Sequence, residues 1–179
     1  MNRLKEKYVK KVIPAMKEKF GYANDLSVPK LVKASINVGV GKGKDAKFLE
    51  VVKSSIARIT GQRPVETKAK KSISNFKIRE GMVVGVKVTV RGEKMYDFID
   101  KIISIVLPRV RDFHGLNPFS VDKGGNLTIG FEEHLIFPEI KPEEIETQHG
   151  LEVTLTTNAK SSEEGLQLFT LMGFPFKKD

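Results

Sequence analysis

The residues with the most chemistry to offer lie between Ile59 and Gly85, in the stretch ITGQRPVETKAKKSISNFKIREGMVVG. Arg63, Lys68, Lys70, Lys71, Lys77 and Arg79 are spaced there by Gln62, Thr67, Ser72, Ser74 and Asn75, with one aromatic, Phe76, near the tip. Lys and Arg neutralise phosphates, while Ser, Asn and Gln supply hydrogen bonds to phosphate, sugar or base edges. An exposed aromatic can stack on an unpaired base, whereas a tucked one only fills core; the spacing leaves both open for Phe76. As a cluster, the pattern points to nucleic acid.

Other constellations are weaker. The turn Gly39-Val40-Gly41-Lys42-Gly43-Lys44 reads G-x-G-x-x-A from Gly41, with Glu66 about twenty residues on. That is the loosest form of a dinucleotide fingerprint. A P-loop is excluded, since neither Gly-Lys pair is followed by Ser or Thr. The turn reads better as a basic loop whose backbone N–H groups, with Lys42 and Lys44, meet phosphate oxygens. His114, His134 and His149 lack HxH or HxxxH spacing, so no metal is expected. Glu132, Glu133, Glu139, Glu143, Glu144 and Glu146 fall in a stretch punctuated by Pro138 and Pro142, which should leave them in solvent. With no cysteine and no Gly-x-Ser-x-Gly element, thiol, thiolate-zinc and hydrolase chemistries have no carrier. No catalysis and no cofactor are expected.

The chain has 179 residues and a formal charge of +9, unevenly spread. Residues 1–91 carry 22 basic and 7 acidic side chains; residues 92–179 carry 9 and 15. So lopsided a distribution implies a polyanionic partner on one surface. No apolar run is long enough to span a bilayer, and the basic N-terminus has no secretory core, so no membrane role and a cytoplasmic site are expected.

These residues need elements to position them. Leu4, Tyr8, Val12, Met16 and Phe20 recur every four residues, predicting an amphipathic helix over 4–20 that Pro14 kinks or shortens. Residues 31–40 alternate, with Val32, Ala34, Ile36 and Val38 inward and Lys33, Ser35 and Asn37 outward on a polar, basic face. A helix follows over 46–60, capped by Asp45 and carrying Phe48, Leu49, Val52, Ile56 and Ile59 on one stripe. VVGVKVTVR over 83–91 is a strand with Lys87, Thr89 and Arg91 on one face. The helix over 93–106 presents Met95, Phe98, Ile99, Ile102, Ile103 and Val106, and Pro108 ends it. Short strands at 126–130 and 151–157 precede a last helix opened by the capping box Ser161-x-x-Glu164 and stopped by Gly173. The mixture predicts an α+β fold: a mostly antiparallel sheet with helices packed on one face and the other face free. No linker divides it, so a single domain over 1–179 is expected.

Taken together, ITGQRPVETKAKKS, SNFKIREGMVVGVKVTVRGEKM, LPRVRDFHGL, IFPEI and GFPFK resemble, in that order, the bacterial form of the fifth large-subunit ribosomal protein family. These are the 5S-rRNA-binding proteins of the central protuberance. The resemblance runs from about residue 30 to the terminus. It implies a sheet face against 5S rRNA, and contact with 23S rRNA and neighbouring central-protuberance proteins. It also implies a basic loop projecting near 72–81 that reaches toward the P-site tRNA elbow, and a surface for the thirteenth small-subunit protein.

On this resemblance, the rRNA-facing set is Lys33, Asn37, Lys42, Lys44, Gln62, Arg63, Lys68, Lys70, Lys71, Ser72, Arg91, Arg109 and Arg111. The tRNA-side loop is Ser74, Asn75, Phe76, Lys77, Ile78 and Arg79. For Arg109 and Arg111, with Asp112 in the PR-[IV]-RDF motif, RNA contact and structural bracing both stand open. His114 and Glu132 depart from the basic residues usual in the family, which removes any RNA role for those two positions from the expectation. A ribosome-bound structural protein is the leading reading. A free-standing nucleic-acid binder acting outside the ribosome is the alternative.

Overall fold

The computed structural model describes residues 2–41, 46–141 and 147–177. Five strands form one antiparallel sheet: β1 (Leu31–Gly39), β2 (Val65–Lys68), β3 (Val83–Val90), β4 (Leu127–Phe131) and β5 (Leu151–Thr157). Their order is β2-β3-β1-β5-β4. With the helices, this is the α+β class that the sequence predicts. No helix among the described residues is long and apolar enough to cross a membrane.

By contact density the chain divides into two compact units. One comprises Met1–Ala34, Val90–Ile129 and Thr154–Asp179; the other comprises Ser35–Thr89 and Gly130–Val153.

The first unit is built on three helices. The N-terminal one runs as Arg3–Lys7, a π turn over Tyr8–Val12, then Ile13–Phe20. Leu4, Tyr8, Val12 and Met16 are all buried, although a strict four-residue repeat drifts about 40° per step around an ordinary α-helix. The wider π turn takes up that drift and keeps the four on one face. It also explains why Pro14 does not end the helix. The Ile13 N–H bonds back to Tyr8, five residues earlier, which relieves the clash between a proline ring and the carbonyl four residues before it.

The same device recurs in the second helix. Gly92–Lys101 leads into a π turn over Ile102–Val106, the Leu107 N–H bonds to the Ile102 carbonyl, and Leu107–Arg109 continues past Pro108. Pro108 therefore sits inside the last turn rather than terminating the helix before it. Met95, Phe98, Ile99, Ile102 and Val106 are buried, with Ile103 only half so. The final helix, Ser162–Met172, opens on the predicted capping box: the Glu164 N–H donates to Ser161 Oγ at 3.3 Å and the Lys160 N–H to Glu164 Oε2 at 2.8 Å. Gly173 closes it in the left-handed conformation, φ +108°.

The second unit packs one helix, Ala46–Thr60, through Phe48, Val52, Ile56 and Ile59. Ile36, Val38, Val86, Val88, Phe137 and Val153 complete its core. The predicted cap Asp45 lies outside the described residues. On β1, Ala34, Ile36 and Val38 are inward and Asn37 outward as expected, but Val32 is exposed and Leu31 buried. The alternation holds from Ala34 on and is broken at the strand's entry, just after buried Val28 and Pro29.

One close approach has a measurable consequence. A Cβ on Gly165 would stand 2.4 Å from Gly125 Cα, backbone that cannot swing aside. Gly to Ala inside a helix ordinarily stabilises by about 0.5–1 kcal/mol. Here Gly165→Ala is expected to destabilise instead, by about 1–3 kcal/mol from overpacking, read as a lower urea midpoint. An unchanged or raised midpoint would contradict this contact.

Candidate nucleic-acid interface

The second unit brings together most of the residues singled out from sequence. The Ala46–Thr60 helix stops at Gly61, φ +66°, and the Thr60 hydroxyl donates to the Ile56 carbonyl at 2.7 Å. That turn delivers half-buried Gln62 and exposed Arg63 directly into β2. β2 is the sheet's edge strand. It pairs antiparallel with β3, Val65 opposite Lys87 and Thr67 opposite Gly85, and a bulge falls between Thr67 and Lys68. The extra residue there is Val84 on β3. Lys68, opposite Val83, is exposed. Gly85 is required where it stands, since a Cβ there would lie 2.8 Å from both Thr67 Oγ1 and the Val38 carbonyl oxygen.

Beyond the bulge the chain forms a closed hairpin tip. The Ala69 N–H donates to the Met82 carbonyl at 2.8 Å, and the Gly81 N–H to the Ala69 carbonyl at 2.9 Å. Ile73 and Ile78 exchange a pair of backbone bonds at 2.9 and 3.1 Å. Between them Ser74-Asn75-Phe76-Lys77 makes the turn, closed by the Lys77 N–H on the Ser74 carbonyl at 2.9 Å, with Lys77 left-handed at φ +50°. The Ser72 hydroxyl accepts from the Glu80 N–H at 2.9 Å, so it braces the hairpin and keeps only its own proton to offer. Phe76 is 64% exposed, so it is not core, and Ile73 and Met82 are exposed with it.

Charge is distributed by pairing. Lys53 holds both Glu50, at 3.0 Å, and Glu66, at 2.5 Å. Its ammonium holds the Glu66 carboxyl below the ordinary carboxylate range. Glu66 is therefore engaged and is not a free ribose acceptor; the antiparallel sheet likewise lacks the doubly wound setting of a dinucleotide site. Arg63, Pro64 and Val65 line a surface groove of about 720 Å³ with these paired groups. Among the described residues, Arg63, Lys68, Lys70, Lys71, Lys77, Arg79 and Lys87 make no ion pair. Asn37 is exposed on β1.

Four of the candidate residues lie in the other unit: half-buried Lys33 on β1, and exposed Arg91, Arg109 and Arg111. Among the described residues, no carboxylate forms an ion pair with Arg109 or Arg111. Asp112 beside them is left-handed at φ +49°, and His114 is exposed. Lys42 and Lys44 lie outside the described residues, as do Glu143, Glu144 and Glu146. Glu132 is exposed, while Glu133 and Glu139 are only half so. Lys87 belongs with the candidates. The alternation of VVGVKVTVR puts it on the outward face, but its setting inside an apolar strand hides its weight.

The histidines form no metal site, and no group of metal-ligating side chains occurs among the described residues. His134 and His149 nevertheless meet: both are buried, their rings stacked 3.9 Å apart and tilted by 6°. The His134 N–H donates to the His149 carbonyl at 3.1 Å.

Comparison with known proteins fits this geometry. Residues 24–79 match the family model for ribosomal protein L5, and residues 83–176 match the model for the C-terminus of the same ribosomal family. The chain belongs to the ribosomal protein L5 family. It is 53% identical over 179 residues to the large ribosomal subunit protein uL5 of Carboxydothermus hydrogenoformans, covering 99% of this chain and 100% of that one. The uL5 protein of Caldanaerobacter subterraneus subsp. tengcongensis gives the same identity and coverage. The uL5c protein of Spinacia oleracea is 50% identical over 99% of this chain and 69% of its own length. L5-family proteins are structural, non-catalytic constituents of the large ribosomal subunit.

Buried His134 gives this L5-family chain a pH dependence. Burial holds the His134 imidazole below its ordinary value of 6.5, against the opposing hydrogen bond to the His149 backbone and the pull of Glu133. As pH falls through 6.5 the unfolded chain takes up a proton that the folded one resists, so stability is lost on the acid side. The urea midpoint should fall between pH 7.5 and pH 5.5, and His134→Gln should flatten that fall. An equally steep fall in the variant would assign the effect elsewhere.

Proposed function

We propose that this chain acts as a 5S-rRNA-binding structural protein of the large ribosomal subunit, ribosome-bound in the cytoplasm. The observation that carries this is the set of cations without ion pairs, Arg63, Lys68, Lys70, Lys71 and Lys87, gathered on one unit around an edge strand and the stem of its hairpin. Unpaired cations are free to displace counterions from an RNA backbone. Asn37 and Gln62 add position-fixing hydrogen bonds, and Ser72 contributes its remaining proton. Arg91, Arg109, Arg111 and Lys33 extend phosphate contact from the other unit, toward 5S or 23S rRNA.

The hairpin tip has a separate task. Ser74, Asn75, Phe76, Lys77, Ile78 and Arg79 reach the P-site tRNA, Phe76 offering an apolar face for stacking and Lys77 and Arg79 flanking charge. The acidic stretch that begins at Glu132 and Glu133 faces protein or solvent rather than RNA. Like charge would keep it from phosphate.

Binding to 5S rRNA should be steeply salt-dependent, weakening about a hundredfold or more between 50 and 200 mM salt in a filter assay. Replacing Lys70 and Lys71 together by Ala should lower the slope by about one to two. An affinity that barely moves with salt would overturn the reading. Deleting residues 74–79 should leave 5S affinity within about twofold while weakening P-site tRNA occupancy, because the Ala69–Met82 pairing below the tip closes the stem. Equal loss of both would show that the two surfaces are one. In cells the protein should sediment with the large subunit; a mostly free pool would favour a binder acting outside the ribosome.

A further inference from the structure

The segment that follows the final helix is fixed before it reaches its partner. Gly173 turns it out of Ser162–Met172 in the left-handed conformation, and the Phe174 N–H donates back to the Phe169 carbonyl at 3.0 Å. Lys7 Nζ donates to the Met172 carbonyl at 2.8 Å, placing a cation where the last carbonyls of a helix favour one. Phe174 is buried, its ring edge-on to Phe169 with centroids 5.4 Å apart.

The partner is the stretch just after the second helix. Leu116, itself buried, pairs in parallel with Phe176. The Leu116 N–H donates to the Pro175 carbonyl at 2.7 Å, and the Lys177 N–H to the Leu116 carbonyl at 2.9 Å. Gly115, φ +105°, lets the two backbones meet, since a Cβ there would lie 2.9 Å from the Lys177 nitrogen. Lys177 is exposed, so its N–H and not its side-chain packing ties the segment to Leu116.

Between the second helix and this pairing stand exposed Arg111 and Asp112, the latter left-handed at φ +49°. A residue other than glycine keeps that conformation where its surroundings over-determine it. Among the described residues, the backbone bonds that tie 111–116 to another element are the two made by Leu116. Arg109 is supported differently. It is the last residue of the helical run Leu107–Arg109, closed by the Val110 N–H on the Leu107 carbonyl at 3.2 Å. The two arginines therefore have separate supports.

We propose that Pro175–Lys177 is a clasp that positions Arg111, and not Arg109, for an rRNA phosphate. A loop already held in its binding conformation is spared the ordering cost that a free loop meets on association. Lys177 acts through its backbone N–H, by way of Leu116, and its ammonium is not required.

This inference rests on the rRNA-binding reading and on Arg111 taking a phosphate. Its test measures the full chain and its variants against 5S rRNA and against 23S rRNA by filter assay. Arg111→Ala should weaken binding to one of them about tenfold and lower its salt slope by about one. On that RNA, Lys177→Pro, which removes the N–H, should weaken binding about threefold or more, while Lys177→Ala, which keeps it, should stay within about twofold. Added to Arg111→Ala, Lys177→Pro should cost less than about twofold further; added to Arg109→Ala, its full effect should persist. Equal losses from Lys177→Ala and Lys177→Pro would assign the effect to the ammonium, and full additivity with Arg111→Ala would assign it to general stability; either overturns the proposal. An Arg111→Ala protein that binds both RNAs as before overturns it too, yet leaves the 5S reading standing while the unaltered protein keeps its salt dependence. Hydrogen exchange on the unaltered protein checks the clasp without any variant. The Leu116 and Lys177 amides should exchange at least about tenfold more slowly than those of 112–114, and equal rates would overturn it.

Discussion

Arg3 reaching Asp100 at 2.8 Å, Lys5 reaching Glu93 at 3.3 Å and Lys10 reaching Glu6 at 2.5 Å decide which cations this chain keeps for a partner. The N-terminal helix is as lysine-rich as any stretch in the sequence, and read alone it would be a fine phosphate-binding surface. Folding sets it against the acidic helix that begins at Gly92, while Lys7 turns inward to the Met172 carbonyl at 2.8 Å and Lys17 is held by Asp25. These are exposed pairs and add little stability. Their effect is on availability: a cation with a carboxylate beside it has less to gain from a phosphate. Among the described residues, the edge strand and hairpin after Gly61 keep Arg63, Lys68, Lys70, Lys71, Lys77 and Arg79 without an ion pair.

That pairing is what a sequence count cannot contain. Splitting the chain at residue 91 gives a basic and an acidic half, but neither compact unit corresponds to a half. The first unit gathers the N-terminal helix, the helix that begins at Gly92 and the C-terminal helix and stays formally +7. The second joins residues 35–89, formally +8, to residues 130–153, formally −6. Opposite charge thus sits within one unit. An RNA-facing and a protein-facing surface can then be parts of the same body, kept distinct by sign.

Periodicity makes most elements legible. The Ala46–Thr60 helix and the Leu151–Thr157 strand occupy the residues their patterns specify, because each is read from a local apolar repeat and clear stop signals. The prolines show what periodicity leaves open. The helix expected over 4–20 runs through Pro14 without being shortened, and the one expected to end at Pro108 runs a single residue past it, because in both places a π turn immediately upstream moves the obstructing carbonyl away. A four-residue apolar repeat, too long for an α-helix, is the available hint in the first case. Phe76 cannot be placed either way from sequence, since an isolated aromatic in a polar run carries no period. Its exposure follows from the Ile73–Ile78 pairing, which closes a hairpin too small to have a core of its own.

The site residues divide along the same line. Arg63, Lys68, Lys70 and Lys71 are recognisable because composition alone distinguishes them. Their common setting depends on how the edge strand runs into its hairpin. The register shifts once, with Val84 of β3 as the extra residue, and pairing resumes with Lys68 opposite Val83 and the Ala69 N–H on the Met82 carbonyl. The edge strand, which would otherwise invite pairing with another chain, thus leads directly into a cluster of lysines. The charge that marks the candidate interface for RNA also protects the sheet from wrong pairing. One run of charge serves recognition and solubility at once, and a substitution there should be judged against both.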